Sequence, residues 1–405
     1  LDVLLARRAT PQRWKLKVLD LQVNADRTFW DVWLGTHADE TSSEATQPGT
    51  QTQNGHPARP GETFASLAAP VAVVFPNLCF QKTDQDELLN FLTERVTQGK
   101  DLPHLCCTKL EFGRPVPHHP IVMERILKMV QLDAVQEVEV TCKWDLDYLN
   151  WFAPYLAQMG HLQSLRLSGI RLGCRWFSSK DEVDEQLARL TSQLSRLRSL
   201  QHLILRGITF CHDHLYKLLR GLPTPLVSLG IVDGLLYFSD LTHLSLCPCL
   251  HQLRFLDLHG VCKVGLDHSF LHLLIESTSA TLTHLDLGDC NIKDRDLKAL
   301  QLALGHCSQL RTLLLCGNPI STVALQGLLH HTFPLCKLSL VELPVPPHCY
   351  VGPAHFLHLN RLVRAMDQLR LTLPVHKVHS LNFAHSPDSR AYDAILLHLD
   401  NGRTS

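Results

Sequence analysis

The pattern L-x-x-L-x-L recurs seven times through the middle of this chain. The copies are Leu162/Leu165/Leu167, Leu200/Leu203/Leu205, Leu226/Leu229/Ile231, Leu253/Leu256/Leu258, Leu282/Leu285/Leu287, Leu310/Leu313/Leu315 and Leu335/Leu338/Leu340. Successive copies start 38, 26, 27, 29, 28 and 25 residues apart. A weaker copy, Val135/Val138/Val140, lies one period upstream, and Leu16/Leu19/Leu21 hints at an earlier start still. Such periodicity calls for stacked repeats, each too small to bury its own apolar face, sharing one continuous core.

Each copy reads as a short strand whose alternate side chains turn inward, followed by a turn in which Asn or Cys ties up free backbone groups. LTHLDLGDCNI, with Cys290 and Ile292, and LRTLLLCGNPI, with Asn318 and Ile320, are the clearest. Between strands, DRDLKALQLALGHC and STVALQGLLHHT repeat apolar residues at three and four, the helical period. A period of 26 to 29 residues holds a strand and a full helix. The expected fold is an α/β leucine-rich-repeat solenoid, a horseshoe of long helix-bearing repeats with parallel strands on its concave face. The long first interval contains RWFSSKDEVDEQLARLTSQL, a charged helix with Ser178 and Ser179 as N-cap candidates.

This divides the chain into an N-terminal cap region (1–130), a repeat array (131–345) and a C-terminal cap (346–405). Residues 37–62 hold almost nothing apolar and are expected to be disordered, because burial cannot offset their ordering entropy. Residues 63–130 read as mixed structure, with a strand at VAVVF and helices around DELLNFLTERV and IVMERILKMV. After the array, PPHCYVGP reads as a loop, AHFLHLNRLVRAMDQLRLTL as a helix and VHSLNF as a capping strand. Leu1 falls inside an apolar helix end, so further residues are expected upstream.

The 38 basic and 39 acidic side chains nearly cancel, and no basic run supplies the phosphate contacts of direct nucleic-acid binding. No segment approaches the ~20 apolar residues of a membrane span. The 14 cysteines sit irregularly, mostly beside leucines, and no N-x-S/T acceptor occurs, which favours reduced thiols in the cytoplasm or nucleus. Phosphate-binding loops, nucleophile elbows and zinc-protease motifs are missing, so no enzyme and no cofactor is expected.

Several constellations have a bland reading beside the sharp one. His243, Cys247, Cys249 and His251 could offer zinc ligands, but zinc sites come as two spaced pairs and HLSLCPCLH also fits a repeat connection. Cys106-Cys107 reads as buried packing, lacking C-x-x-C geometry. L-x-x-L-L boxes at Leu215/Leu218/Leu219 and Leu325/Leu328/Leu329 resemble coregulator helices, yet sit where repeat helices must bury leucine. The acid pairs Asp181/Glu182 and Asp184/Glu185 read as a solvated helix face.

The positions between strand leucines point away from the core, and their variation from repeat to repeat makes a binding surface. The candidate partner-binding residues are Arg166, His202, Arg206, Phe255, Asp257, His259, His284 and Asp286. Arginine and aromatic side chains supply most interface hot spots, which suits a protein partner. Asp257 and Asp286 are expected to tolerate replacement by arginine without unfolding the array.

The wording of LDVLLARRATPQRWKLKVLDLQVN (1–24), MVQLDAVQEVEVTCKW (129–144), FAPYLAQMGHLQSLRLSGI (152–170), LTHLSLCPCLHQLRFLDLHGV (241–261), SATLTHLDLGDCNI (279–292) and LGHCSQLRTLLLCGNPIS (304–321) resembles one family across nearly the whole chain. These are the leucine-rich-repeat proteins related to the melanoma antigen preferentially expressed in tumours, the PRAME family. The resemblance implies an intracellular adaptor. In some members it is the substrate receptor of a cullin-2 RING ubiquitin ligase, docked through elongin B and C by a box upstream of the LDVLLA stretch. It also implies repression of transcription, notably of retinoic-acid signalling, and effects on proliferation, differentiation and apoptosis. The chain departs from relatives that end in a P-C-P-H-C run, since NFAHSPDSRAYD stands there and no cysteine follows Cys349. It also lacks the Lys/Arg cluster that serves some relatives for nuclear import. A corepressor acting without a ligase and a stoichiometric inhibitor are the alternatives.

Overall fold

A strand with leucine at every second position has one apolar face, and a parallel sheet lets all such faces line up behind a single layer of helices. The computed structural model describes residues 18–20, 72–80, 87–98, 104–113, 120–169, 180–208, 214–234, 236, 238–261, 271–332, 334–352, 356–372 and 380–384. Its strands are β1 (Val18–Asp20), β2 (Ala72–Phe80), β3 (His104–Phe112), β4 (Glu137–Val140), β5 (Ser164–Ser168) and β6 (His202–Arg206). Then come β7 (Ser228–Val232), β8 (Phe255–Asp257), β9 (His284–Asp286), β10 (Thr312–Leu314) and β11 (Leu340–Pro344). A small antiparallel hairpin, β12 (Tyr350–Val351) with β13 (Phe356–Leu357), precedes β14 (Ser380–Ala384). Strands β1 to β11 pair in sequence order and β14 closes the edge beside β11, giving a 12-stranded sheet whose pairings are all parallel.

The register aligns one residue of each strand from β2 to β11 into a single ladder: Leu78, Leu110, Val138, Leu165, Leu203, Leu229, Leu256, Leu285, Leu313 and Val341. All ten are buried. Return segments carry helices, including Leu146–Leu156, Lys180–Leu194, Asp294–His306 and Thr322–Thr332, which pack on one another behind the ladder. A helix is about 10 Å wide and strands lie about 4.8 Å apart, so the stack curves with the sheet on its inner side. Helix Leu146–Leu156 shows how local chemistry sets the frame: Asp145 caps it, accepting from the Tyr148 amide at 3.0 Å. Asp145→Ala should cost about 1 kcal/mol in urea unfolding, the usual worth of an N-cap.

A left-handed residue follows each outer strand position at Gly169, Gly207, Asp233, Gly260, Asp289 and Gly317. The first five donate their backbone N–H to the next repeat, to Arg206, Val232, His259, Gly288 and Cys316 carbonyls at 2.7 to 2.8 Å. Glycine suits this conformation, and aspartate is among the few residues that tolerate it.

One expectation is revised and others gain detail. The last repeat is shifted by three residues: Val341 and Leu343 occupy the inward positions beside Leu313 and Leu315, so its pattern is Leu338/Val341/Leu343 and Leu340 lies half-buried. Residues 72–112 are more than a mixed cap, since Phe75/Leu78/Phe80 and Cys107/Leu110/Phe112 are further repeats of the same sheet. That sheet crosses the 130/131 boundary unbroken. Within PPHCYVGP, Pro347–Cys349 forms a 3₁₀ turn and Tyr350–Val351 is the first strand of the hairpin. Segment 37–62, Ser178 and Ser179 lie outside the described residues.

Candidate interaction surface

Because side chains alternate across a strand, the ladder that fills the core leaves its neighbours on the open face. Pairing sorts them into rows. The first runs Ser164, His202, Ser228, Phe255, His284 and Thr312; the second Arg166, Ile204, Gly230, Asp257, Asp286, Leu314 and Glu342. The turns add Ser168, Arg206, Val232, His259, Gly288 and Cys316.

His259 is the hub of the most structured part. Its Nδ1 lies 3.6 Å from Asp286 Oδ1 and its Nε2 3.3 Å from Asp289 Oδ2. Asp286, then Asp289, then the Cys316 thiol push its pKa up to about 12, so the ring is an imidazolium at neutral pH. The carboxylates are themselves anchored: Asp257 Oδ1 accepts from the His259 amide at 3.0 Å and Asp286 Oδ1 from the Gly288 amide at 2.8 Å. Burial, with Asp286 nearby, raises the Asp257 and Glu342 carboxyls above their ordinary values. Space for the imidazole comes from Gly288, where an added Cβ would stand 2.5 Å from His259 Nδ1 and 2.9 Å from Cys316 Sγ. Gly288→Ala should displace the ring and cost about 1–3 kcal/mol, the usual penalty of overpacking, with the His259 NMR shifts moving well beyond those of His284.

Beside this hub, Phe255 stacks on His284 with ring centroids 4.2 Å apart and planes at 16°. Burial first, then Arg311, lowers the His284 pKa, so a neutral ring backs a phenylalanine that stays 39% exposed. Arg166 and Arg206 are exposed, and neither has a carboxylate within ion-pairing distance among the described residues. At the β3–β4 end, Lys109 is satisfied by Glu139 at 2.7 Å and Glu111 at 3.4 Å.

All eight sequence candidates therefore stand on the open face. Phe255 with His284, and Asp257 with His259 and Asp286, are brought together; Arg166, His202 and Arg206 stand two or three strands away. Asp257 and Asp286 are only half-exposed and tied to the hub, so arginine there would also remove carboxylates that hold His259. Asp289 and Glu342 escape the sequence reading, whereas Cys316 is an outward position between strand leucines. Asp289 sits in a turn, and Glu342 was hidden by the shifted last repeat.

The bland readings divide. Both L-x-x-L-L boxes are core: Leu215, Leu218, Leu219, Leu325, Leu328 and Leu329 are all buried. Cys247 and Cys249 come together, Sγ to Sγ 3.2 Å, and the hydrogen bond from the Cys249 thiol lowers the Cys247 pKa below the ordinary thiol value. The two histidines go elsewhere, His243 onto Tyr216 and His251 onto the Pro248 carbonyl. Cys107 is buried, but Cys106 points to the open side and its thiol donates to Gln131 at 3.1 Å. Asp184 bonds Lys217 at 2.8 Å and His214 at 3.1 Å across two repeats, so one of the four acids is structural. A cleft of about 770 Å³ opens away from the sheet face, lined by Leu127, Leu132, Trp151 and Tyr155. No helix among the described residues is long and apolar enough to cross a membrane.

Comparison with known proteins places these features in context. The PRAME C-terminal domain matches residues 72–405 and the PRAME N-terminal domain residues 1–30. Human PRAME family member 12 is 41% identical over 351 residues, covering 86% of this chain and 69% of that protein. Human PRAME family member 8 is 41% identical over 356 residues, covering 86% and 70%. Among solved structures, the leucine-rich-repeat-containing protein LegL7 of Legionella pneumophila has a TM-score of 0.36 at 17% identity, covering 72% of this chain and 97% of its own.

Proposed function

The chain belongs to the PRAME family, and from that premise we propose that it reads a protein partner on its open sheet face, as the substrate-recognition part of a cullin-2 RING ubiquitin ligase. One observation carries the recognition half. The face that the core does not use presents exposed arginines, an exposed aromatic stack and an ordered imidazolium–carboxylate hub, the groups that dominate protein interfaces. The ligase half is supported by the family resemblance. Docking to elongin B and C would then use the box that the resemblance places upstream of the LDVLLA stretch, in the cytoplasm, the nucleus or both. The role is that of a scaffold without catalysis, and removal of its target would lower transcription or apoptosis and favour proliferation over differentiation.

Affinity purification from cells tests this. The full-length protein should recover elongin B, elongin C and cullin-2, and this 405-residue chain should recover the substrate without them. Recovery of none of the three ligase subunits by the full-length protein would defeat the ligase reading and leave a corepressor or inhibitor. With both L-x-x-L-L boxes in the core, a corepressor would have to meet a nuclear receptor through another surface.

A further inference from the structure

Charge on the open face is ordered along the array. Arg166 on β5 and Arg206 on β6 stand exposed, and among the described residues neither is ion-paired, although Glu139 stands opposite Arg166 and the Arg206 charge reaches Asp257. Beyond them Ile204, Ser228 and Gly230 form a low stretch, where Ile204 lies so close over Gly230 that an added Cβ would stand 3.3 Å from its methyl. Then come the Phe255 ring on β8 and the carboxylates of Asp257, Asp286 and Glu342 on β8, β9 and β11. The four hub carboxylates, Asp289 included, outnumber the one imidazolium they surround, so that end is net negative.

Resting on the reading of this face as the recognition surface, we propose that its occupant is an extended segment of a partner protein lying across the strands, with an acidic residue over the arginines, an apolar residue against Phe255 and a basic residue over the carboxylates. The spacing follows from the sheet. Arg166 to Asp257 and Arg206 to Asp286 each span three strand intervals, about 14 Å at about 4.8 Å per interval. An extended chain advances about 3.4 Å per residue, so the acid and the base stand about four residues apart. The low stretch between them admits a backbone, whereas a helix about 10 Å wide would ride on the side chains at either end. Charge complementarity of this kind fixes register and excludes partners of uniform charge.

The test uses a fluorescein-labelled peptide, Gly-Asp-Ser-Leu-Ser-Arg-Gly, titrated with the 405-residue chain and followed by fluorescence anisotropy. Two control peptides replace its aspartate by lysine or its arginine by glutamate. Both controls should bind about ten-fold more weakly than the parent peptide. Arg206→Ala should weaken the parent peptide but not the doubly basic one, and Asp257→Asn should weaken the parent but not the doubly acidic one. Each variant's melting curve is recorded alongside; asparagine keeps the oxygen that accepts from the His259 amide. Equal or tighter binding of either control, or indifference of the parent peptide to both substitutions, overturns the proposal. A photo-crosslinking residue at Ile204 tests the underlying reading separately. If it captures a cellular protein while the peptides fail, the face is the recognition surface but this segment chemistry is wrong. If it captures nothing while partners co-purify, the recognition-surface reading fails.

Discussion

Asn318→Ala is expected to lower the unfolding free energy by about 3–5 kcal/mol, far more than an exposed substitution would. The side chain is 2% exposed and makes four good hydrogen bonds. Its Nδ2 donates to the Leu287 and Leu315 carbonyls at 2.8 Å each, and its Oδ1 accepts from the Cys290 and Ile292 amides at 3.1 and 2.9 Å. Alanine leaves all four backbone groups buried without that partner, each worth about 1–3 kcal/mol, and shared relaxation keeps the total below the sum. Because the bonds join two successive repeats, the loss should be local. Urea unfolding should broaden or split as the β9–β10 region melts first, and the Cys290 and Ile292 amides should lose hydrogen-exchange protection before the β5–β6 amides. A loss below about 1 kcal/mol with unchanged exchange would show that water or a neighbouring group replaces the asparagine.

That Asn318 and Cys290 tie up backbone groups was readable in the sequence, because the turn after each strand needs a small polar group at a fixed offset. So was the core from Val138 to Leu313, since leucine at every second strand position admits one sheet face only. The earlier repeats were obscured because Phe75, Phe80 and Phe112 stand where leucine marks the later ones, and Phe80 stacks on Phe112 at 4.8 Å as leucine could not. The last repeat misled for the opposite reason. Leucines at 335, 338 and 340 offer a full pattern, but pairing of Val341 with Leu313 gives a better-filled core. At the site, the sequence told which residues face outward but not which meet. Asp286, Asp289 and Cys316 reach His259 only because parallel pairing sets side by side residues some 27 to 57 positions apart, and Asp289 does so from a left-handed turn.

His259→Gln is expected to cost at least about 3–5 kcal/mol at pH 7, because it removes the cation from among carboxylates that remain half-buried. Glutamine has nearly the reach of histidine, so the lost charge outweighs the lost volume. The pH dependence separates this from a packing defect. His259 has its folded-state pKa raised to about 12, against 6.5 for the free side chain. Its stabilising contribution is therefore complete below about pH 6.5 and declines as pH rises from there through about 12. The stability gap between wild type and His259→Gln should be widest near pH 6 and narrow by at most about 1.4 kcal/mol per pH unit above it. A packing defect would give a gap independent of pH. The same assignment requires the His259 ring signals to stay at their protonated shifts from pH 5 to about 9, while neutral His284 titrates below the ordinary histidine value. A His259 midpoint near 6.5 would mean that the carboxylates do not hold the proton, and the negative end of the face would then be more negative still at neutral pH.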